Sequence, residues 1–187
     1  MRIKKVFAIG GLSESGKSSA GQYLDSKGIT RLKIATLLKT IMEKEYPGAD
    51  FNKWQPEIIV TQSEWLWKRF SEELVSQTEE ENIEHCAIES LYRPGLAQSL
   101  RKTLADKLVI LYVDIPQEIR LQRQIIRQNL KDIDESKACL LPRDKDKLQW
   151  GALEIKELAD VIIDNSGTIS ELYCQLDVIM QKYCPEL

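Results

Sequence analysis

The stretch Gly11-Leu12-Ser13-Glu14-Ser15-Gly16-Lys17-Ser18 decides the fold of this 187-residue chain. It fits the pattern of Gly, four residues, Gly, Lys and then Ser or Thr, and the apolar run Ile3 to Ile9 before it predicts a buried strand. The glycines permit backbone angles that a Cβ would forbid, so successive N–H groups can turn inward around a phosphate. The residues from Ser18 to about Ser26 predict a helix whose positive end points at the same anion.

Side chains of this loop supply what a nucleoside triphosphate and its metal need. Lys17 is a compact cation for the β and γ phosphates, and the Ser18 hydroxyl is placed to ligate Mg²⁺. A Gly- and Ser-rich turn without a ligand is the alternative, but the strand before and the helix after favour a nucleotide site. We therefore expect ATP and Mg²⁺ as cofactors. The loop residues assigned to nucleotide binding are Gly11, Ser13, Glu14, Ser15, Gly16, Lys17, Ser18 and Ser19.

Composition excludes several classes of function. The chain is 43% hydrophobic and 29% charged, as in a soluble globular protein, and its length suits one domain. A formal net charge of −3 gives no general attraction for nucleic acid or an anionic membrane. The single histidine and four dispersed cysteines form no zinc pattern, so free thiols are expected. Without a signal peptide or an apolar run long enough to span a bilayer, we expect a cytoplasmic monomer or homodimer.

Strand-like and helix-like stretches alternate along the rest of the chain. Apolar runs predict strands at 85–90, 108–113 and 160–163. Apolar residues at helical spacing predict helices at 35–46, 63–77, 117–130 and 168–183. Residues 50–62 have weak periodicity and predict a surface connection, and the polar residues 131–147 suit a mobile flap. The alternation predicts an α/β fold with a parallel, doubly wound sheet and helices on both faces.

Glu89 stands at the C-terminal end of the strand predicted at 85–90, and Arg93 follows that strand. In an open α/β sheet, ligands bind beyond the C-terminal ends of the strands, so Glu89 should lie near the phosphate loop. A carboxylate there can hold the Mg²⁺ shell or orient an acceptor hydroxyl, and the alternative is an ion pair with a neighbouring Lys or Arg. Arg93 is the next cation at that edge and a candidate phosphate clamp.

Two of the predicted helices carry cations at helical spacing. Arg120, Arg123 and Arg127 share one face of the helix 117–130, beside a stripe that contains Ile126, where they would form salt bridges or clamp the triphosphate. Trp65 and Arg69 lie four residues apart on the helix 63–77. They would form a surface cation–π pair, or an aromatic plane and a guanidinium that face a bound acceptor.

The layout resembles the nucleoside monophosphate kinase branch of the P-loop kinases, which also holds dephospho-coenzyme A kinase. KIATLLK (33–39) is similar to the FAxxLK-type piece of deoxynucleotide monophosphate kinases, and AIESLYRP (87–94) sits where those proteins have a strand ending in an acidic residue followed by Arg. The closing segment ADVIIDNSGTISELYCQLDVI (159–179) also fits. The resemblance implies a three-layer P-loop NTPase fold in one domain (1–187), with a lid at about 131–147 and acceptor-binding helices at about 35–80.

The same resemblance implies transfer of the γ-phosphoryl group of Mg-ATP to a small acceptor, most directly a nucleoside or deoxynucleoside monophosphate. Lys17, Glu89, Arg123 and Arg127 would be catalytic, and Ser18 and Glu89 would hold the metal. Arg127, Asn165 and Gly167 would contact the nucleotide, with Arg143 as a further flap cation. On the acceptor side the assigned residues are Lys39, Trp65, Arg69 and Arg93.

The chain also departs from that family. Glu89 replaces the Asp of many of these kinases, the flap has one arginine where adenylate kinases have several, and no Asp-Ala-Asp-like piece follows the first helix. Two alternatives therefore stay open: a dephospho-coenzyme A kinase-like enzyme, and an ATP-binding module without efficient transfer. A GTPase-type switch would need an Asn-Lys-x-Asp run and a strand ending in Asp-x-x-Gly, and neither occurs.

Overall fold

The computed structural model describes residues 2–187 and is built around a five-stranded, all-parallel sheet. The strands are β1 (Lys5–Gly10), β2 (Thr30–Lys33), β3 (His85–Leu91), β4 (Leu108–Asp114) and β5 (Val161–Asp164). The helices are α1 (Lys17–Ser26), α2 (Ile34–Glu45), α3 (Phe51–Thr61), α4 (Ser63–Glu80), α5 (Pro94–Leu104), α6 (Gln117–Gln128), α7 (Ile133–Gln149), α8 (Ala152–Glu157) and α9 (Ile169–Tyr183). The strand order is β2-β3-β1-β4-β5.

The central strands are apolar because both faces of the sheet are covered. Alternate side chains of β1 point to opposite faces, so Val6 and Ala8 pack into one apolar layer with α2, α4 and α5. Phe7 and Ile9 pack into a second layer, with α1 and α9. These two layers and the sheet between them confirm the predicted α/β, three-layer, doubly wound fold.

The connections bring the phosphate loop to the carboxyl edge of the sheet. The order reverses at β1, because the chain goes to β2 and β3 on one side of it and to β4 and β5 on the other. Crevices at such reversal points are where ligands bind in open α/β sheets. The β1–β3 register slips at this edge, since Ile9 pairs with Glu89 and Gly10 pairs with Leu91, which leaves Ser90 as an extra residue.

The prediction of a surface connection at 50–62 is wrong, because this segment is helix α3. The Asp50 side chain accepts hydrogen bonds from the N–H groups of Asn52 (2.8 Å) and Lys53 (3.3 Å), which caps the helix. Trp54 and Ile58, one turn apart, are its buried side chains. Two apolar positions and Pro56 inside the helix are too weak a periodic signal to recognise in the sequence.

The segment predicted as a polar flap is also helical. Helix α7 is capped by Asp132, and its buried residues are Ser136, Leu140 and Asp144, spaced by four. Ser136 Oγ donates to the backbone oxygen of Leu121 on α6 (3.0 Å). A buried face with two polar members does not show as an apolar stripe, which is why the sequence suggested irregular chain. The function of this segment as a lid stays a prediction.

Helix α6 buries a different face from the one expected. Ile126 is 82% exposed, so the predicted apolar stripe is not a core contact. The buried residues are Arg120, Leu121 and Gln124. Along residues 2–187, no helix is both long and apolar enough to cross a membrane.

Candidate functional site

A cleft of about 590 Å³ opens beside the phosphate loop. Its wall is formed by the loop and the start of α1, by the end of β3 and the turn after it, by α6 and α7, and by the turn after β5 with the start of α9. They are Ser13, Glu14, Ser15, Gly16, Lys17, Ser18, Ser19, Ser90, Tyr92, Arg123, Arg127, Arg143, Lys147, Asn165 and Ile169. The predicted nucleotide loop therefore shares one cavity with Arg123, Arg127 and Arg143.

Two glycines allow the loop to take its path. Gly11 has a φ of +135°, and a Cβ there would come within 2.5 Å of the backbone oxygen of Val113. Gly16 has a φ of +98°, and a Cβ there would overlap the side-chain amide of Asn165. That amide donates to the backbone oxygen of Ser15 (2.7 Å). Asn165, which the resemblance assigned to the nucleotide, thus contacts the loop directly.

Lys17 lies inside the loop and is only 8% exposed. Its Nζ donates to the backbone oxygen of Leu12 (2.6 Å) and to Ser15 Oγ (3.4 Å). Burial, assisted by the positive charge of Lys147, lowers the pKa of Lys17 to about 7, against the opposing effect of nearby carboxylates. A multiply charged phosphate would supply the negative charge that this buried cation lacks.

Glu89 is buried at the end of β3 and meets three groups at once. Its Oε2 accepts from Ser18 Oγ (3.3 Å), and its two oxygens accept from Arg31 Nε and from Arg31 Nη2 (3.0 Å). The side chain fits against Gly21 of α1, where a Cβ would overlap Oε1. Glu89 therefore forms the ion pair that was the alternative expectation. It also stands beside the serine expected to ligate Mg²⁺, and its role at the metal stays a prediction.

Arg31 is a residue that the sequence reasoning missed. It lies on β2, and its position pairs with Ala87 of β3, two residues before Glu89. The alternation of side chains places Arg31 and Glu89 on neighbouring strands with their side chains able to meet. This contact could be predicted only if β2 and β3 were known to be neighbours, and no sequence motif in the chain indicates that pairing.

The arginines of α6 have separate partners. Arg123 Nη2 donates to the backbone oxygens of Asn165 (2.8 Å) and Gly167 (2.9 Å), which ties α6 to the turn after β5. Arg127 forms an ion pair with Glu14. Arg143 Nη1 of α7 lies 4.0 Å from the same carboxylate. Arg123, Arg127 and Arg143 all line the cleft, whereas Arg120 does not.

Lys147 is a second cation at the phosphate loop that the sequence reasoning did not single out. Its Nζ is 2.5 Å from Ser13 Oγ and 5.1 Å from the centroid of the Tyr92 ring. Lys17 Nζ is 5.6 Å from the same ring. Burial lowers the pKa of Lys147 as well. A buried lysine and a half-buried one, placed around one aromatic ring, bring two cationic side chains to the cleft.

The residues assigned to the acceptor do not line this cleft. Arg69 donates to Glu45 Oε1 (2.7 Å) and Glu73 Oε2 (3.2 Å), so its charge is already neutralised. Trp65 packs edge-on against Tyr46 rather than under Arg69. Lys39 is exposed and 3.9 Å from Glu43, and Arg93 stacks 4.8 Å from the ring of Trp150. The structure thus brings the nucleotide residues together but not these four.

Ser90 is a strained residue on the cleft wall. It has a left-handed φ of +74°, which costs a residue with a Cβ about 1 kcal/mol or more. Strained residues of this kind are common at active sites and ligand-binding sites.

We expect Ser90→Gly to raise the free energy of unfolding by about 0.5–1 kcal/mol, because glycine adopts this φ without strain. Chemical denaturation measures the change. Ser76→Gly in helix α4 is the control, and there the same substitution should lower the stability. A Ser90→Gly protein less stable than the wild type would show that Ser90 is not strained.

Comparison with known proteins supports this fold. No protein-family model matches the chain. It is 27% identical to a UPF0200 protein of Sulfurisphaera tokodaii in an alignment 192 positions long, gaps included, which covers 97% of this chain and 99% of the relative. It is 34% identical to a dephospho-CoA kinase of Oceanobacillus iheyensis over 90 residues, which cover only 48% of this chain and 41% of that enzyme.

Solved structures agree. A dephospho-CoA kinase from Campylobacter jejuni superposes with a TM-score of 0.56 at 16% identity, over 97% of this chain and 98% of that one. A gluconokinase from Sinorhizobium meliloti superposes with a TM-score of 0.56 at 16% identity, over 97% of each chain. At these identities the likeness concerns the fold. The chain has the fold of the small-molecule P-loop kinases, and no single branch of that group stands out.

Proposed function

We propose that this protein is a P-loop kinase that transfers the γ-phosphoryl group of Mg-ATP to a small acceptor, most directly a nucleoside or deoxynucleoside monophosphate. The observation that carries the proposal is the phosphate loop with buried Lys17, which shares one cleft with Lys147 and three arginines. Such a concentration of positive charge fits a triphosphate and its transition state. The partial match to a dephospho-CoA kinase favours a second candidate acceptor, dephospho-coenzyme A.

The residues beside the loop fit a magnesium ion. Ser18 Oγ and the Glu89 carboxylate lie 3.3 Å apart, and both are the hard oxygen donors that Mg²⁺ prefers. When bound, the ion would supply charge neutralisation at the phosphate oxygens. In the described part of the chain, no cluster of three or more His, Cys, Asp or Glu offers a separate metal site.

Residues of the chain itself would bind the phosphates, hold the turn after β5 in place and exclude water. Lys17 and Lys147 would bind the phosphates, since each places its amino group at the loop. Arg123 would hold the turn after β5 against α6 through its two backbone hydrogen bonds. Helix α7 would cover the loop and exclude water, so that the phosphoryl group reaches the acceptor rather than being hydrolysed.

The test is ADP release from Mg-ATP across a panel of ribo- and deoxynucleoside monophosphates and dephospho-coenzyme A, with Lys17→Ala as the blank. We expect a rate that depends on one acceptor and is absent in the variant. Tight ATP binding with no acceptor-dependent rate would argue for an ATP-binding module instead. ADP release that is the same with and without every acceptor would indicate an ATPase.

A further inference from the structure

Helix α7 turns a buried ion pair toward the phosphate loop. Asp144 of α7 and Arg120 of α6 are each 4% exposed, and their carboxylate and guanidinium are in contact. Neither side chain lines the cleft, and neither has a part in the transfer proposed above. A buried pair of charges at this place calls for an explanation.

Both members of the pair hold the same loop residue. The N–H of Ser13 donates to Asp144 Oδ1 (3.0 Å), and Arg120 Nη1 donates to the backbone oxygen of Ser13 (3.2 Å). The peptide groups before and after Ser13 are therefore fixed by charged, buried partners, which form stronger hydrogen bonds than neutral ones. Because the N–H groups that follow in the loop are those expected to face a phosphate, the orientation of these two peptides affects the whole cradle.

The pair also determines where a cleft cation lies. Lys147 follows Asp144 by three residues, so both lie on one face of α7. Lys147 Nζ reaches Ser13 Oγ at 2.5 Å. Asp144, Arg120 and Lys147 thus converge on Ser13, and docking of Asp144 brings Lys147 to the loop.

Stability alone is a poor explanation for the pair. Replacing a buried ion pair with apolar side chains is often neutral or stabilising, so packing α7 on α6 does not require charges. Ser136 and Leu140 already supply buried contacts on the same face. Arg120 Nε is buried and finds no hydrogen-bond partner anywhere in residues 2–187, which is a cost rather than a gain.

We propose that Asp144 and Arg120 are positioning residues that set the conformation of the phosphate loop and place Lys147 on it. The consequence for phosphoryl transfer rests on the function proposed above. The consequence for the loop itself does not, so the two can fail separately.

The test compares Asp144→Asn with Asp146→Asn, an exposed carboxylate two residues further along α7. Hydrogen exchange of the peptide that contains Ser13 should be faster in Asp144→Asn and unchanged in Asp146→Asn. The rate constant kcat for acceptor-dependent transfer should fall on the order of 100-fold in Asp144→Asn, because small displacements of catalytic groups have effects of that size.

A double variant, Arg120→Met with Asp144→Leu, separates positioning from stability. It should unfold at a temperature close to that of the wild type and still show fast exchange at the loop and low kcat. Wild-type exchange at the loop in either variant would overturn the proposal, as would wild-type kcat in the double variant. Fast exchange in the variants, with no transfer by any form of the protein, would support the positioning role and contradict the proposed kinase function.

Discussion

Lys17→Met should lower kcat for phosphoryl transfer on the order of 10³-fold, because it removes a charge that stabilises the transition state from inside the loop. Lys102→Met, at an exposed lysine of α5, is the matched control and should transfer at the wild-type rate. Steady-state ADP release with the best acceptor measures both. Transfer by Lys17→Met within a few-fold of wild type would remove Lys17 from the site.

The same substitution should make the protein more stable at neutral pH. The pKa of Lys17 is about 7 in the folded chain, below its ordinary value of 10.5, so the unfolded state binds more protons between these values. Below pH 7 the lysine is charged in both states, so burial of its charge lowers the free energy of unfolding by the full amount. Above pH 7 the folded protein loses this charge, and the free energy of unfolding of the wild type should rise with pH. Lys17→Met should have a higher free energy of unfolding than the wild type at pH 7, and this free energy should rise less than that of the wild type between pH 7 and 9. Urea denaturation at both values provides the comparison, and a less stable Lys17→Met protein would contradict it.

Glu89→Gln is the second large effect that we expect. The amide keeps the shape of the side chain but removes the charge that would bind Mg²⁺ beside Ser18. We expect kcat to fall on the order of 100-fold, and the Mg²⁺ concentration for half-maximal rate to rise, while ATP affinity changes less. Rate measurements over a magnesium titration give these values.

The control for Glu89→Gln must account for Arg31, which would lose its charged partner. Glu84, just before β3, forms an exposed ion pair with Lys4. Glu84→Gln therefore removes a carboxylate that lies outside the cleft and serves as the control. The double variant Arg31→Gln with Glu89→Gln removes both charges of the buried pair. If the double variant recovered the wild-type magnesium dependence, Glu89 would serve only to neutralise Arg31.

The parts of the fold that were predictable are those with a strong local signal. The apolar run of β1, the glycine pattern of the loop and the alternation of strands and helices each follow from backbone geometry or burial. Helices α3 and α7 were missed because their buried faces are short or polar, as Asp144 shows. A buried aspartate looks like a surface residue in a sequence, since its partner Arg120 is 24 residues away.

The residues of the candidate site also separate into those with a local sequence signal and those without one. Lys17, Ser18 and Glu89 could be proposed from the sequence because they stand at fixed positions relative to a strand end. Arg31 and Lys147 were not predicted, because Arg31 reaches Glu89 and Lys147 reaches the phosphate loop through tertiary contacts that have no counterpart in local spacing. The pairing of Trp65 with Arg69 failed for a related reason: Glu45 on α2 and Glu73 on α4 compete for the guanidinium.

The most direct measurement is calorimetric titration with the magnesium complex of a nonhydrolysable ATP analogue, at pH 8.5 in two buffers of different ionisation enthalpy. Lys17 should be almost entirely neutral before binding at this pH, because its pKa is about 7. We expect wild-type protein to bind one analogue and to take up about one proton, as phosphate charge restores the ammonium form. Lys17→Met should bind more weakly and take up none. Absence of binding, or equal affinity and proton uptake in both proteins, would contradict the assignment of this loop as the triphosphate site.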